Sequence, residues 1–254
     1  MITKLAFSGE RASIKDKGGI NLARYIYALK YSKNKKLLEI GSGSGYGAYY
    51  LSKHGVKEVK AIEPDKRAVE YAKKNFISKN LQYVQSKVEE VELKDKFDTI
   101  ITFEVIEHLH NPHIMLKKVN SFLKLRGVFI VSTPNRVFSS YDGNRPTNPY
   151  HIREYYNDEF ISLLKKHFST VSCFGIFLKE DKSKVESDVQ LTWRWKLANK
   201  LTKKRWVRRI INYLPERPKR IFTGENNLEF SPSDYIVKRK NPEKAPYLLA
   251  VCRK

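Results

Sequence analysis

The chain has 254 residues, 41% of them hydrophobic, and a formal net charge of +22 at pH 7. That length and apolar share suit one sizeable core carrying an insertion, and they exclude a disordered polymer. No stretch approaches the ~20 consecutive apolar residues of a membrane span. The opening MITKLAFSGERASIKDK has no apolar signal core, so the sequence reads as that of a cytoplasmic protein.

In chain order, residues 18–32 read as a helix, KKLLEI (35–40) as a buried strand, and GYGAYYLSKH as the start of a second helix. VKAIE (59–63) is the next strand, followed by a helix that Pro64 opens in its first turn. LQYVQ, FDTIITF and GVFIVST are three further short strands rich in β-branched and aromatic residues, with a helix over 112–124 before the last. A polar loop (134–150), a helix near 157–167 and strands at 169–178 and 246–252 complete the series. This alternation predicts a doubly wound, mostly parallel sheet covered on both faces, with the last two strands as an antiparallel edge pair. Cys173 and Cys252 sit in those final strands and read as buried structural thiols.

The sharpest local signal is LLEIGSGSGYG, where an apolar strand runs into Gly41, Gly43 and Gly45 and then into a helix. Glycine is needed there because the backbone turns tightly and a ligand approaches bare main chain. Glu63 ends the second strand, 22 residues after Gly41, where doubly wound folds place a carboxylate for ribose hydroxyls. Gly43-x-Gly45-x-x-Ala48 also satisfies the looser dinucleotide pattern. Glu39 tips the choice, since a carboxylate there attracts a cationic amino-acid group and repels a pyrophosphate.

This segment resembles motif I of class I S-adenosylmethionine-dependent methyltransferases. FDTIITFEVIEHL and LKLRGVFIVSTPN resemble their fourth- and fifth-strand motifs, and NPYHIREYYNDEF and APYLLAVCRK resemble later parts of a bacterial and archaeal subgroup. The resemblance implies a seven-stranded Rossmann-like domain over 1–178 and 233–254, with S-adenosyl-L-methionine as cofactor. It places Glu39, Gly41, Gly43 and Gly45 around the methionine part, Glu63 on the ribose and Phe103 beside the cofactor. Ser86-Lys87 stand where many relatives have Gly-Asp, so the adenine contact is expected on the backbone near Val88.

Glu104, Glu107 and His108 form E-x-x-E-H directly after the fourth strand. On a helical turn these positions share one face, beyond the carboxyl ends of the strands where ligands gather. Three readings fit. A divalent metal (Mg²⁺ or Mn²⁺) held by Glu104, Glu107 and His108 lowers the pKa of an acceptor hydroxyl. Alternatively His108 or His151 is a general base oriented by the Glu side chains. In the third, the carboxylates are a polar helix start. Ubiquinone-biosynthesis and small-RNA 2′-O-methyltransferases resemble this chain in the metal-binding motif, and the second group adds a histidine comparable to His151; two histidines suit Mn²⁺ or Zn²⁺ better than Mg²⁺. Arg153 and Glu154 read either as holding the loop over the substrate or as a surface ion pair, and His110 and His113 as solvated.

Residues 179–232 read as a basic helical insertion. Its stretch 189–220 holds eleven Lys/Arg against the single Glu216, together with Trp193, Trp195 and Trp206. Trp206, Val207, Ile210, Ile211 and Leu214 share one helical face opposite Lys204, Arg205, Arg208 and Arg209. That pattern fits a lid or an element on an anionic membrane surface, peripheral at its inner face. RNA is a third partner class. The expected activity is O-methylation of a small-molecule, saccharide or lipid-linked acceptor, such as a lipid-linked glycan or a prenylated phenol. RNA ribose 2′-O-methylation, or a non-catalytic cofactor-binding relative, is the alternative.

Overall fold

The computed structural model describes residues 6–7, 10–11, 18–139, 146, 148–180 and 230–254. Helix α1 (Gly18–Ser32) leads into strand β1 (Lys36–Ile40), then α2 (Tyr46–Lys53), β2 (Glu58–Glu63), α3 (Lys66–Asn75), β3 (Leu81–Gln85) and β4 (Phe97–Phe103). A 3₁₀ turn (Ile106–His108) precedes α4 (Pro112–Phe122), β5 (Leu123–Pro134), α5 (Asn157–Lys165) and β6 (Thr170–Leu178). Strands β7 (Tyr235–Lys238) and β8 (Tyr247–Arg253) close the chain.

These eight strands form one sheet in the order β3-β2-β1-β4-β5-β8-β6-β7, and two two-residue strands, Ala6–Phe7 and Glu10–Arg11, pair apart from it. The first five run parallel; β8 is antiparallel to both β5 and β6, and β7 is antiparallel to β6. Each central strand is apolar on both faces because helices cover both. Leu38, Ile100 and Phe129 pair across β1, β4 and β5 and pack under α4 and α5 with Met115, Leu116, Phe160 and Leu164. Their neighbours Leu37, Ile101 and Ile130 face the other way, against Tyr25, Ala28, Ala48 and Leu51 of α1 and α2. A fully buried side chain of this size contributes ~1.5–3 kcal/mol.

The doubly wound expectation holds, with eight strands in place of seven. The additional strand is β7, a four-residue edge whose short YIVK run carries little pattern of its own. It leaves β6 and β8 paired as expected but moves them off the edge. Pro64 lies outside α3, because the Asp65 side chain takes the cap by accepting from the Arg67 N–H at 2.8 Å. Cys173 and Cys252 are free and buried. Of the insertion at 179–232, Lys179, Glu180 and 230–232 are described; its tryptophans and both amphipathic faces lie outside the described residues. Among the described residues no helix is long and apolar enough to cross a membrane.

Candidate functional site

Strand order reverses between β1 and β4, and the carboxyl ends of these two strands open onto a cavity of about 510 Å³. The loop after β1 is pinned to β2 by the N–H groups of Gly41 and Ser42, which donate to the Ile62 carbonyl at 2.8 and 3.1 Å. Gly41, Gly43 and Gly45 have φ of 75°, 53° and 84°, in the left-handed region that glycine enters without strain. A Cβ on Gly43 would meet no atom within 4 Å, so its bare backbone faces open space. Gly45 serves packing instead, since a Cβ there would stand 2.6 Å from Ala72. Glu63 lines the cavity and accepts from the Gly43 N–H at 2.8 Å and the Asp65 N–H at 3.1 Å. Burial pushes its carboxyl above the ordinary range, against the pull of those two amides. Val88 and Phe103 line the same cavity, with Ser86 and Lys87 beside Val88.

Glu39 is not on the cavity wall. It is buried beneath the loop and accepts from the Tyr25 hydroxyl at 2.6 Å. Burial pushes its carboxyl up to about 7, with the Tyr25 hydroxyl and Ala48 amide opposing and the Glu63 charge adding to the rise. Its position reaches the cavity through Tyr25, which lines it and packs edge-on against Phe103 at 5.2 Å between ring centroids. Tyr25 lies so close to α2 that a Cβ on Gly47 would fall 1.9 Å from its ring.

Arg24 also lines the cavity, although it is 1% exposed. Its guanidinium is 3.1 Å from Glu104, bonds to Asn21 and stands 4.7 Å over the Tyr247 ring. Among the described residues its Nε has no hydrogen-bond partner.

The E-x-x-E-H segment departs from a helical turn. Glu104 has φ 56°, and its carboxylate is held by Arg24 and by the Ser132 hydroxyl at 2.9 Å. Its oxygens are not among the donor atoms that gather with those of Glu107 and His108, so the expected set of i, i+3 and i+4 ligands is incomplete. His151 takes its place: donor atoms of Glu107, His108 and His151 lie within 4.8 Å of one another. Glu107 is fully buried, accepts from the Thr133 hydroxyl at 3.2 Å, and among the described residues has no hydrogen-bond partner on Oε1. Burial, and then the nearby Glu104 carboxylate, hold its carboxyl well above the usual range.

His108 Nδ1 lies 2.9 Å from the Tyr150 carbonyl and donates to it. His151 Nδ1 sits 2.7 Å from Glu154, and its Nε2 is 2.8 Å from the Asn148 amide nitrogen. Glu154 is itself buried and accepts from the Ser139 hydroxyl at 2.7 Å, so it orients His151 across the loop. Arg153 reaches instead toward Glu159, at 3.9 Å. His110 is exposed, whereas His113 is hydrogen-bonded to His167 at 2.8 Å rather than solvated.

A family model described as a methyltransferase domain matches residues 21–197. A probable S-adenosylmethionine-dependent methyltransferase of Mycobacterium tuberculosis is 33% identical over 145 residues, covering 56% of this chain and 52% of its own. The chain belongs to the S-adenosylmethionine-dependent methyltransferases. That family takes S-adenosylmethionine as its cofactor. A ubiquinone biosynthesis O-methyltransferase of Pelagibacter ubique is 33% identical over 113 residues, 43% of this chain and 46% of the relative. The chain thus spans about half the length of the curated relatives it matches.

Among solved structures, a possible histamine N-methyltransferase of Thermotoga maritima shares the fold with a TM-score of 0.57, at 19% identity over 92% of this chain and 91% of that one. The [4+2]-cyclase SpnF shares it too, with a TM-score of 0.56, at 12% identity over 92% of this chain and 80% of that one. Fold alone therefore leaves the reaction open, and the side chains of the methyltransferase must carry the finer reading.

Of the sequence-predicted residues, Gly41, Gly43, Glu63, Val88, Phe103, Glu104 and His108 line one cavity. Glu39 and Gly45 support it from behind, and Glu107 and His151 adjoin His108. Sequence reasoning missed Arg24, Tyr25 and Gly47. The signal for Arg24 was a charge among Ile20, Tyr27 and Ala28, the i−4, i+3 and i+4 positions of an apolar helix face.

Proposed function

We propose that this methyltransferase alkylates a hydroxyl of a small-molecule, saccharide or lipid-linked acceptor. The observation that carries this is the convergence of Glu107, His108 and His151 at the edge of the cofactor-sized cavity. Gly41 and Gly43 offer bare backbone to the methionine part, Glu63 accepts from the ribose hydroxyls, and the backbone near Val88 meets the adenine. Arg24, a buried cation with an unpartnered Nε, suits the amino-acid carboxylate. Glu39 tunes this end through Tyr25.

S-adenosylmethionine supplies an electrophilic methyl group on sulfur. As the acceptor oxygen bonds to that methyl and the sulfur–carbon bond breaks, the hydroxyl proton passes to His108 as general base. Glu107, buried beside His108 with its carboxyl held above the usual range, positions the acceptor side of the site. The same three donors also suit a divalent cation, with Glu107 ionised and Asn148 displaced from His151; such an ion would acidify the acceptor hydroxyl. Their two imidazoles favour Mn²⁺ or Zn²⁺ over Mg²⁺.

RNA ribose 2′-O-methylation is the second reading, favoured by His151 in the cluster and by the net charge of +22. The test is incubation with methyl-labelled cofactor and a cell extract separated into lipid, glycan, small-molecule and RNA fractions. Label in a methyl ether outside the RNA fraction is expected. Label on a ribose supports the second reading, and label on nitrogen or in no fraction contradicts both. Activity in EDTA equal to that with Mn²⁺ retires the cation.

A further inference from the structure

A second cavity of about 560 Å³ opens on the far side of α1, against the sheet edge formed by β6 and β7. Its size falls in the range of small-molecule sites, ~300–1,000 Å³. The floor is apolar, with Ile176, Phe177 and Leu178 of β6 and Phe138 from the turn after β5. Phe138 is 55% exposed and extends that apolar floor to the rim. Lys238, Lys240 and Lys244, all exposed, stand on the rim, and Glu180 is the acidic residue among the described lining.

The two cavities share a wall. Ile20 lines the groove and its chain neighbour Asn21 lines the reaction cavity. Tyr247 of the groove carries the Arg24 guanidinium of the reaction cavity on its ring.

We infer that this groove binds an amphipathic anion, an apolar tail bearing a phosphate-type group. The tail lies on the β6 floor and Phe138, and the anionic group meets the three lysines. An apolar floor alone would take any greasy surface; three cations at its edge select a tail that ends in negative charge. The Arg24–Tyr247 stack stands between this groove and the reaction cavity, so the groove is a separate site. The inference goes beyond the acceptor reading above and does not depend on it.

The test uses the full chain with farnesyl phosphate as probe, below the concentration at which it forms micelles. Farnesol and inorganic phosphate are the controls for tail and charge alone, and titration calorimetry is the readout. One-to-one binding of farnesyl phosphate at least about tenfold tighter than either control is expected. Both the K238E/K240E/K244E triple variant and Phe138→Asp should weaken it at least about tenfold, since each exposed lysine near an anion is worth several-fold. These residues are exposed, so S-adenosylhomocysteine affinity should stay unchanged in both variants and report an intact fold. Absence of farnesyl phosphate binding, or binding indifferent to both variants, overturns the subsite while leaving the cofactor reading untouched. A dimer in sedimentation that both variants dissolve overturns it too, because a second copy then covers the groove. Failure of the wild type to bind S-adenosylhomocysteine would count against the cofactor reading instead.

Discussion

Replacing Glu39 by Gln keeps the side-chain shape and an acceptor for Tyr25 while removing a buried carboxyl. In the folded chain that carboxyl titrates at about 7 rather than at its ordinary 4.5. Below the lower value it is protonated in folded and unfolded chains alike, and it adds no pH dependence. Between the two values the unfolded chain releases the proton while the folded chain keeps it, so stability falls as pH rises. Above the upper value the loss is complete and constant. At ~1.4 kcal/mol per pH unit, the interval amounts to about 3 kcal/mol. The Glu39→Gln variant has no carboxyl to titrate there and escapes this loss. Its stability relative to wild type should therefore rise by about 3 kcal/mol from about pH 4 to about pH 8. Urea unfolding at fixed ionic strength across that range gives the two curves. Parallel pH profiles, or a variant that loses ground as pH rises, would refute the burial argument for Glu39.

Other consequences follow from the same geometry. Gly43→Val should leave a folded protein, at a strain cost of about 1–2 kcal/mol for a branched residue at positive φ. It should abolish the thermal stabilisation by S-adenosylhomocysteine, which in wild type reaches ~2.7 kcal/mol at one hundred times the dissociation constant. Gly47→Ala puts a Cβ 1.9 Å from the Tyr25 ring and should cost about 2–3 kcal/mol in denaturant unfolding. Arg24→Met should weaken S-adenosylhomocysteine binding by about tenfold or more in calorimetry, as expected for loss of a charge-assisted hydrogen bond; unchanged affinity would remove Arg24 from the cofactor site.

Strong periodic segments were legible. The five parallel strands, the Gly-rich turn and the carboxylate at the end of β2 all follow from apolar runs, from glycine's access to positive φ and from strand length. Boundaries were less so: β5 begins at Leu123, inside the stretch that reads as the end of a helix, because LKL suits either state. β7 escaped notice because a four-residue edge strand gains its stability from its neighbour.

At the site, sequence spacing assumed that E-x-x-E-H stays helical from its first residue. The left-handed Glu104 breaks that assumption, and what holds it there is Arg24, 80 positions away in the chain. Contacts of that span leave no periodic trace. The same reason hid the bond of Tyr25 to Glu39, and the approach of His151 to His108 from a loop beyond β5.

The central claim is that cofactor binding and acceptor activation belong to different side chains in adjoining places. The most direct test measures S-adenosylhomocysteine affinity and labelled methyl transfer together, in wild type, Glu107→Ala and His108→Ala. Affinity within about twofold of wild type and transfer reduced at least a hundredfold are predicted, since a positioned acid or base contributes ~10²–10⁴ in rate. Undiminished transfer in both variants, or parallel loss of binding and transfer in a folded protein, would contradict it.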